Sequence, residues 1–165
     1  RIESPVQRKV HVVFHHAGTF SHWPDGSSSA ADLPKNDAYA HLQEASAWPS
    51  ESGATIQIEA PVGGETKTEL VIATSPLPGS RLITARSPGN PASDLRATTI
   101  IENTSQAFWT AATFVYGDAT QTTIEWEGRV QASTVPNLSV RRGQHEESWS
   151  FTNTTQADFI YPLDS

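Results

Sequence analysis

Four of the chain's histidines fall close together: His11, His15, His16 and His22. Imidazole is the commonest protein metal ligand and changes charge near neutral pH. Val10 to His16 reads as a strand, with Val10, Val12 and Phe14 on one face and His11, Val13 and His15 on the other. On such a strand His11 and His15 lie about 13 Å apart, too far to share an ion, and His15 and His16 point to opposite faces. A metal centre therefore requires His15 or His16 to meet His22 across a hairpin. Asp25, or a distant residue such as His41 or His145, would complete it. His15, His16, His22 and Asp25 are the candidate ligands, and a metal ion is the one cofactor the sequence suggests. The plainer reading is a polar strand face beside a loop, because regular ligand spacing is absent.

Glu125 and Glu127 are the second candidate. Two residues apart on a strand, they share a face about 6.8 Å apart. Paired carboxylates at such separations act as acid and as nucleophile or base in glycoside hydrolysis. Like charges on a wet strand face more commonly keep a sheet soluble and unaggregated. The aromatic residues are the third candidate. Exposed rings offer flat apolar platforms with a polar tip, suited to sugars. Trp23 and Trp48 stand beside prolines at the ends of elements, and Tyr116 and Asp118 flank a turn. These four residues are the expected binding set; the competing reading has the rings sealing core edges.

Other chemistries lack their residues. Cysteine is absent, which removes disulfides, thiolate catalysis and cysteine-ligated zinc. No nucleophile elbow, P-loop, dinucleotide fingerprint or EF-hand loop occurs. A net charge of −7 opposes phosphate-backbone binding, which depends on Lys and Arg, so no nucleic-acid partner is expected. No apolar run approaches a transmembrane span. Asn103, Asn137 and Asn153 begin N-x-Ser/Thr acceptor sequences. They point to a glycosylated, secreted or extracellular chain, and no signal peptide is visible, as expected of a mature secreted chain.

Short strands must position these residues. Ala54, Ile56, Ile58 and Ala60 alternate with Thr55, Gln57 and Glu59, the pattern of a half-buried strand. Further strands are expected over residues 66–74, 81–86, 98–102, 108–116, 122–130, 138–140 and 147–152. In residues 122–130, Ile124 faces inward and Glu125 outward. Thr19 to Trp23 is expected to pair back on the first strand. One helix is expected near residues 36–48, capped by Asn36 or Asp37, with Tyr39, Leu42 and Ala45 at helical spacing. About ten short strands separated by turns predict an all-β fold, an antiparallel β-sandwich of jelly-roll or Ig-like type. The 165 residues fit one domain, 1–165, whose weakest seam lies near Ser87–Pro91.

The expected function is a secreted or cell-surface binding module whose partner is carbohydrate or another surface component. One alternative is a small secreted hydrolase using paired carboxylates or a histidine-based metal site; another is a structural or assembly subunit. Of the two halves of the chain, the less regular one before residue 50 is where a site is expected first.

Overall fold

Alternation of apolar and polar side chains governs this chain, and strands are what it forms. The computed structural model describes residues 2–3, 6–50, 53–62, 64–74, 79–104, 107–108, 111–114, 122–127 and 137–149. In chain order the first strands are β1 (Ile2–Glu3), β2 (Val10–His15), β3 (Thr19–His22), β4 (Ser29–Ala30) and β5 (Gln43–Pro49). The long central strands follow: β6 (Ala54–Val62), β7 (Glu65–Thr74), β8 (Arg81–Pro88) and β9 (Leu95–Asn103). The last are β10 (Ala107–Phe108), β11 (Ala111–Phe114), β12 (Thr122–Glu127), β13 (Asn137–Arg142) and β14 (His145–Trp149).

Every pairing among the described residues is antiparallel. A five-stranded sheet runs β2-β9-β8-β5-β4 and a four-stranded sheet runs β11-β7-β6-β3. A three-stranded sheet runs β12-β13-β14, and β1 pairs with β10. No sheet closes into a barrel, and no helix occurs among the described residues.

The expected alternation along β6 is present, with Ala54, Ile56, Ile58 and Ala60 all buried. Ala54, Ile56 and Ile58 meet Leu82 of β8 and Ala97 and Ile101 of β9 in one hydrophobic cluster, with Val10, Val12 and Phe14 of β2 packed against it. That cluster draws on both the four-stranded and the five-stranded sheet. The opposite face of the five-stranded sheet is also covered. There Ala47, Ile83 and Ile100 form a second cluster beneath Ala31, Leu33, Tyr39, Leu42 and Ala45. The irregular segment between β4 and β5, with Ala45 of β5, thus shields the centre of a sheet already buried on its other side.

Two local expectations are corrected. The helix near residues 36–48 does not form. Asn36 does act as a cap, accepting from the Ala38 amide at 3.1 Å, and its carbonyl accepts from Tyr39 and Ala40. The turn stops there, because residues from Gln43 onward pair with β8 and satisfy their backbone groups in the ladder. Tyr39, Leu42 and Ala45 still converge on one cluster, through a turn followed by a bulged strand rather than a helix face. The first hairpin is likewise not a hairpin. β3 pairs with β6, so Ala17-Gly18 carries the chain from one sheet to the other. A Cβ on Gly18 would lie 2.0 Å from the Glu59 carbonyl oxygen, so only glycine permits this crossing. The seam near Ser87–Pro91 is a hairpin connection between β8 and β9, closed by the Gly89 amide donating to the Asp94 carbonyl at 2.8 Å.

Candidate functional site

Register places three parallel rows of side chains across the outer face of the five-stranded sheet. His11 of β2, Glu102 of β9 and Arg81 of β8 stand opposite one another in the first row. Val13, Ile100, Ile83 and Ala47 make the second. His15, Thr98 and Ala85 begin the third. The 31–45 segment covers Ile100, Ile83 and Ala47 of the middle row, while Val13 at its end stays 39% exposed. The polar rows flank that row, and the covering segment reaches each with one ring. Tyr39 meets His11 edge-on with centroids 5.4 Å apart, and His41 lies 6.0 Å from His15.

The first row is a continuous hydrogen-bonded chain. Tyr39 Oη lies 2.7 Å from His11 Nδ1, and His11 Nε2 lies 2.9 Å from Glu102 Oε2. Arg81 Nε donates to Glu102 Oε1 at 2.7 Å, and Lys9 Nζ stands 3.4 Å from Oε2. Glu102 is only 3% exposed, on a central strand. Burial alone would raise its pKa. Hydrogen bonds from His11 and Arg81, with the charges of Arg81 and Lys9, outweigh that and hold its carboxyl below the usual carboxylate range.

In the third row His15 meets hydroxyls. His15 Nδ1 lies 3.1 Å from Thr98 Oγ1, which donates to Ser87 Oγ at 2.8 Å. Both hydroxyl residues are buried. His16 follows the end of β2, with Nε2 2.9 Å from Thr99 Oγ1. Burial, and then the neighbouring charge of His15, lower its pKa to about 4. At neutral pH this ring is uncharged.

The covering segment carries a concavity of about 530 Å³ on its own surface. Asp32, Lys35, Asn36, Asp37, Tyr39 and Leu42 are among its lining residues. The two carboxylates, the amide and the ammonium are on exposed residues, and Tyr39 and Leu42 are half-buried. The same tyrosine therefore lines the concavity and ends the chain to Glu102.

The residues singled out from sequence are dispersed. His15 meets His41, while His22 belongs to β3 in the other sheet and Asp25 is exposed in the following loop. No group of three metal-ligating side chains occurs among the described residues. Trp48 is half-buried, and its indole Nε1 donates to Thr84 Oγ1 at 3.0 Å inside the sheet. Trp23 is 42% exposed beyond β3, with its ring 5.9 Å from that of Phe20. Tyr116, Asp118 and Asn153 lie outside the described residues. Glu125 and Glu127 sit on β12 opposite Ser139 and Asn137, and Glu125 is exposed. Asn137 begins β13. Asn103 ends β9. It is fully buried and its Nδ2 donates to Ser80 Oγ at 2.9 Å.

Sequence reasoning missed Glu102, Arg81 and Tyr39 as a unit. One signal was present: a glutamate inside Thr98-Thr99-Ile100-Ile101-Glu102. A charge among β-branched residues on a buried strand needs a partner. Comparison of the chain with known protein families, characterised proteins and solved structures finds no match.

Proposed function

We propose that this chain is a secreted binding module that recognises carbohydrate through the concavity on residues 31–45. The observation that carries the reading is the composition of that surface. Asp32, Asp37, Asn36 and Lys35 line the concavity together with Tyr39 and Leu42. A pyranose offers the complement, hydroxyls at its rim and C–H faces above and below. An aromatic residue that packs with its ring and hydrogen-bonds with its tip suits such a ligand. A loop site on a rigid sheet is a common arrangement for recognition.

The supporting scaffold is an antiparallel β-sandwich of jelly-roll or Ig-like type, a reading favoured by the core cluster shared between the four- and five-stranded sheets. Secretion is supported by the acceptor sequences at Asn137 and Asn153. A hydrolase reading has one observation in its favour. Tyr39, His11 and Glu102 follow the order hydroxyl, imidazole, carboxylate that activates a nucleophile.

An array of plant, fungal and animal glycans, probed with wild-type chain and with Tyr39→Ala and Asp37→Ala, tests the proposal. Retention on one glycan class is expected, lowered about tenfold or more in either variant. Equal retention by all three proteins removes this site. Trp23→Ala serves as the comparison at the other exposed aromatic. Release of reducing ends from a retained glycan would favour the hydrolase over the binder.

A further inference from the structure

Strand β2 lies at the rim of the five-stranded sheet, and register says which of its backbone groups face outward. His15 stands opposite Thr98, and the His16 amide donates to the Ala97 carbonyl at 3.0 Å. In an antiparallel ladder that bond makes His15–Thr98 a non-hydrogen-bonded pair, and the two kinds of pair alternate. Val10, Val12 and Phe14 therefore exchange their backbone bonds with β9. The amides and carbonyls of His11, Val13 and His15 turn to the rim, where no described strand meets them.

Sheets blunt such rims by shortness, bulges or charge. The other rims among the described strands do so. β4 has two residues, β11 has four, and β3 has four with a bulge against β6. β12 carries Glu125 and Glu127, and β14 carries Glu146 and Glu147. β2 has six residues, pairs with β9 without a bulge, and holds no carboxylate, lysine, arginine or proline. Near its middle, Val13 is 39% exposed.

We propose that the β2 rim is a self-association surface, taken by β2 of a second copy of this chain running antiparallel, with the two-fold axis at Val13. The free groups fix that register. It sets Val13 against Val13 and His11 against His15 of the copy, so each outward amide and carbonyl finds its complement. A shift of one residue opposes outward groups to inward ones, and a shift of two runs part of the set past the end of β2. Charge also favours a copy at this rim. Two chains of net charge −7 repel each other over most of their surfaces. Here the residues leading into the strand are Arg8 and Lys9, which offset that repulsion where the copies approach. Directly opposed residues share a face of the sheet, so the joined sheet carries both 31–45 segments, with their concavities, on one side. Use of that arrangement to hold a multivalent glycan rests on the carbohydrate reading; the association itself does not.

Sedimentation of the wild-type chain over about 1–500 µM is expected to show a micromolar monomer–dimer equilibrium, since one strand pair buries less than the ~1,200 Å² of a stable interface. Val13→Lys opposes two ammoniums at the axis and should weaken the dimer about tenfold or more. Val13→Pro removes an outward amide without breaking a bond to β9, and should do the same. Circular dichroism of both variants checks that the fold is kept. Amide exchange of wild type needs no variant. His11, Val13 and His15 should be protected at high concentration and lose protection on dilution, while Val12 and Phe14 stay protected at both. The chain has no cysteine, so Val13→Cys reports the axis directly. Its Cα atoms would stand about 5.5 Å apart, within disulfide reach, and oxidation should give a linked dimer, whereas Val6→Cys should give none. A wild-type monomer at every concentration overturns the proposal. So does a dimer that folded Val13→Lys and Val13→Pro leave intact, or exchange at His11, Val13 and His15 that does not change with concentration.

Discussion

At the scale of single residues, Glu102 and His16 both cost stability as the pH falls, over different windows. Glu102 ionises more readily folded than unfolded. Its contribution is therefore present above the ordinary glutamate value of 4.5 and is lost as the pH falls through the lower folded value. Glu102→Gln keeps the shape but leaves His11, Arg81 and Lys9 without their anion. Because Lys9 and Arg81 reach water, the cost at pH 7 is expected at about 1–3 kcal/mol, below that of a fully buried pair. Guanidinium unfolding of both proteins across pH should show the difference shrinking in acid; a difference constant with pH would mean that the carboxylate charge contributes nothing. His16 works in a higher window. Its folded pKa of about 4 lies below the ordinary 6.5, so between those values the unfolded chain takes up the proton and stability falls with pH. The slope is at most about 1.4 kcal/mol per pH unit, and less for a half-buried ring. His16→Asn should flatten the stability curve between pH 6.5 and 4 relative to wild type. A ring whose carbon resonance titrates near 6.5 in the folded chain would refute this.

At the scale of elements, the crossing at Gly18 is the most constrained turn. Its carbonyl accepts from the Ala97 amide at 2.8 Å while its Cα faces the Glu59 carbonyl and Ile58. Gly18→Ala must push β3 off β6 or β2 off β9. A loss of about 2 kcal/mol or more is expected in thermal or chemical unfolding, the range typical of overpacked cores. Unchanged stability would show that the turn relaxes without cost. Glycine at this position is legible in the sequence as a turn, but the sheet that receives the next strand is not. Thr19–His22 carries the same local pattern whether it pairs with β2 or with β6. The helix expected over 36–48 failed for the same reason. Asn36 and the spacing of Tyr39, Leu42 and Ala45 are local signals, and they produce a real turn and a real cluster. What decides strand over helix is the open edge of β8, a non-local partner that takes up Gln43–Pro49. Alternation along β6 needed no such partner to be read, and its core residues were legible. The row His11–Glu102–Arg81 was invisible because register between strands distant in sequence brings it together.

At the scale of the whole molecule, the core cluster makes the two large sheets depend on each other. Ile58 of the four-stranded sheet and Leu82 and Ile101 of the five-stranded sheet are all fully buried or nearly so, in one cluster. Ile58→Ala removes buried methyl groups and leaves a cavity, at an expected cost of about 2–5 kcal/mol. If the sheets unfold as one unit, that cost must appear on both sides of the cluster. Hydrogen exchange measured amide by amide should then show reduced protection along β9 as well as along β6, by the same free energy at the slowest sites. Protection lost on β6 alone would mean that the five-stranded sheet, with the 31–45 segment over its outer face, stands without the other. The distinction bears on the site. A sheet buttressed from behind holds Glu102 and His11 fixed against Tyr39, and binding through the concavity should weaken in Ile58→Ala only as the global stability is exhausted. An independent sheet would bind with wild-type affinity even where β6 has opened.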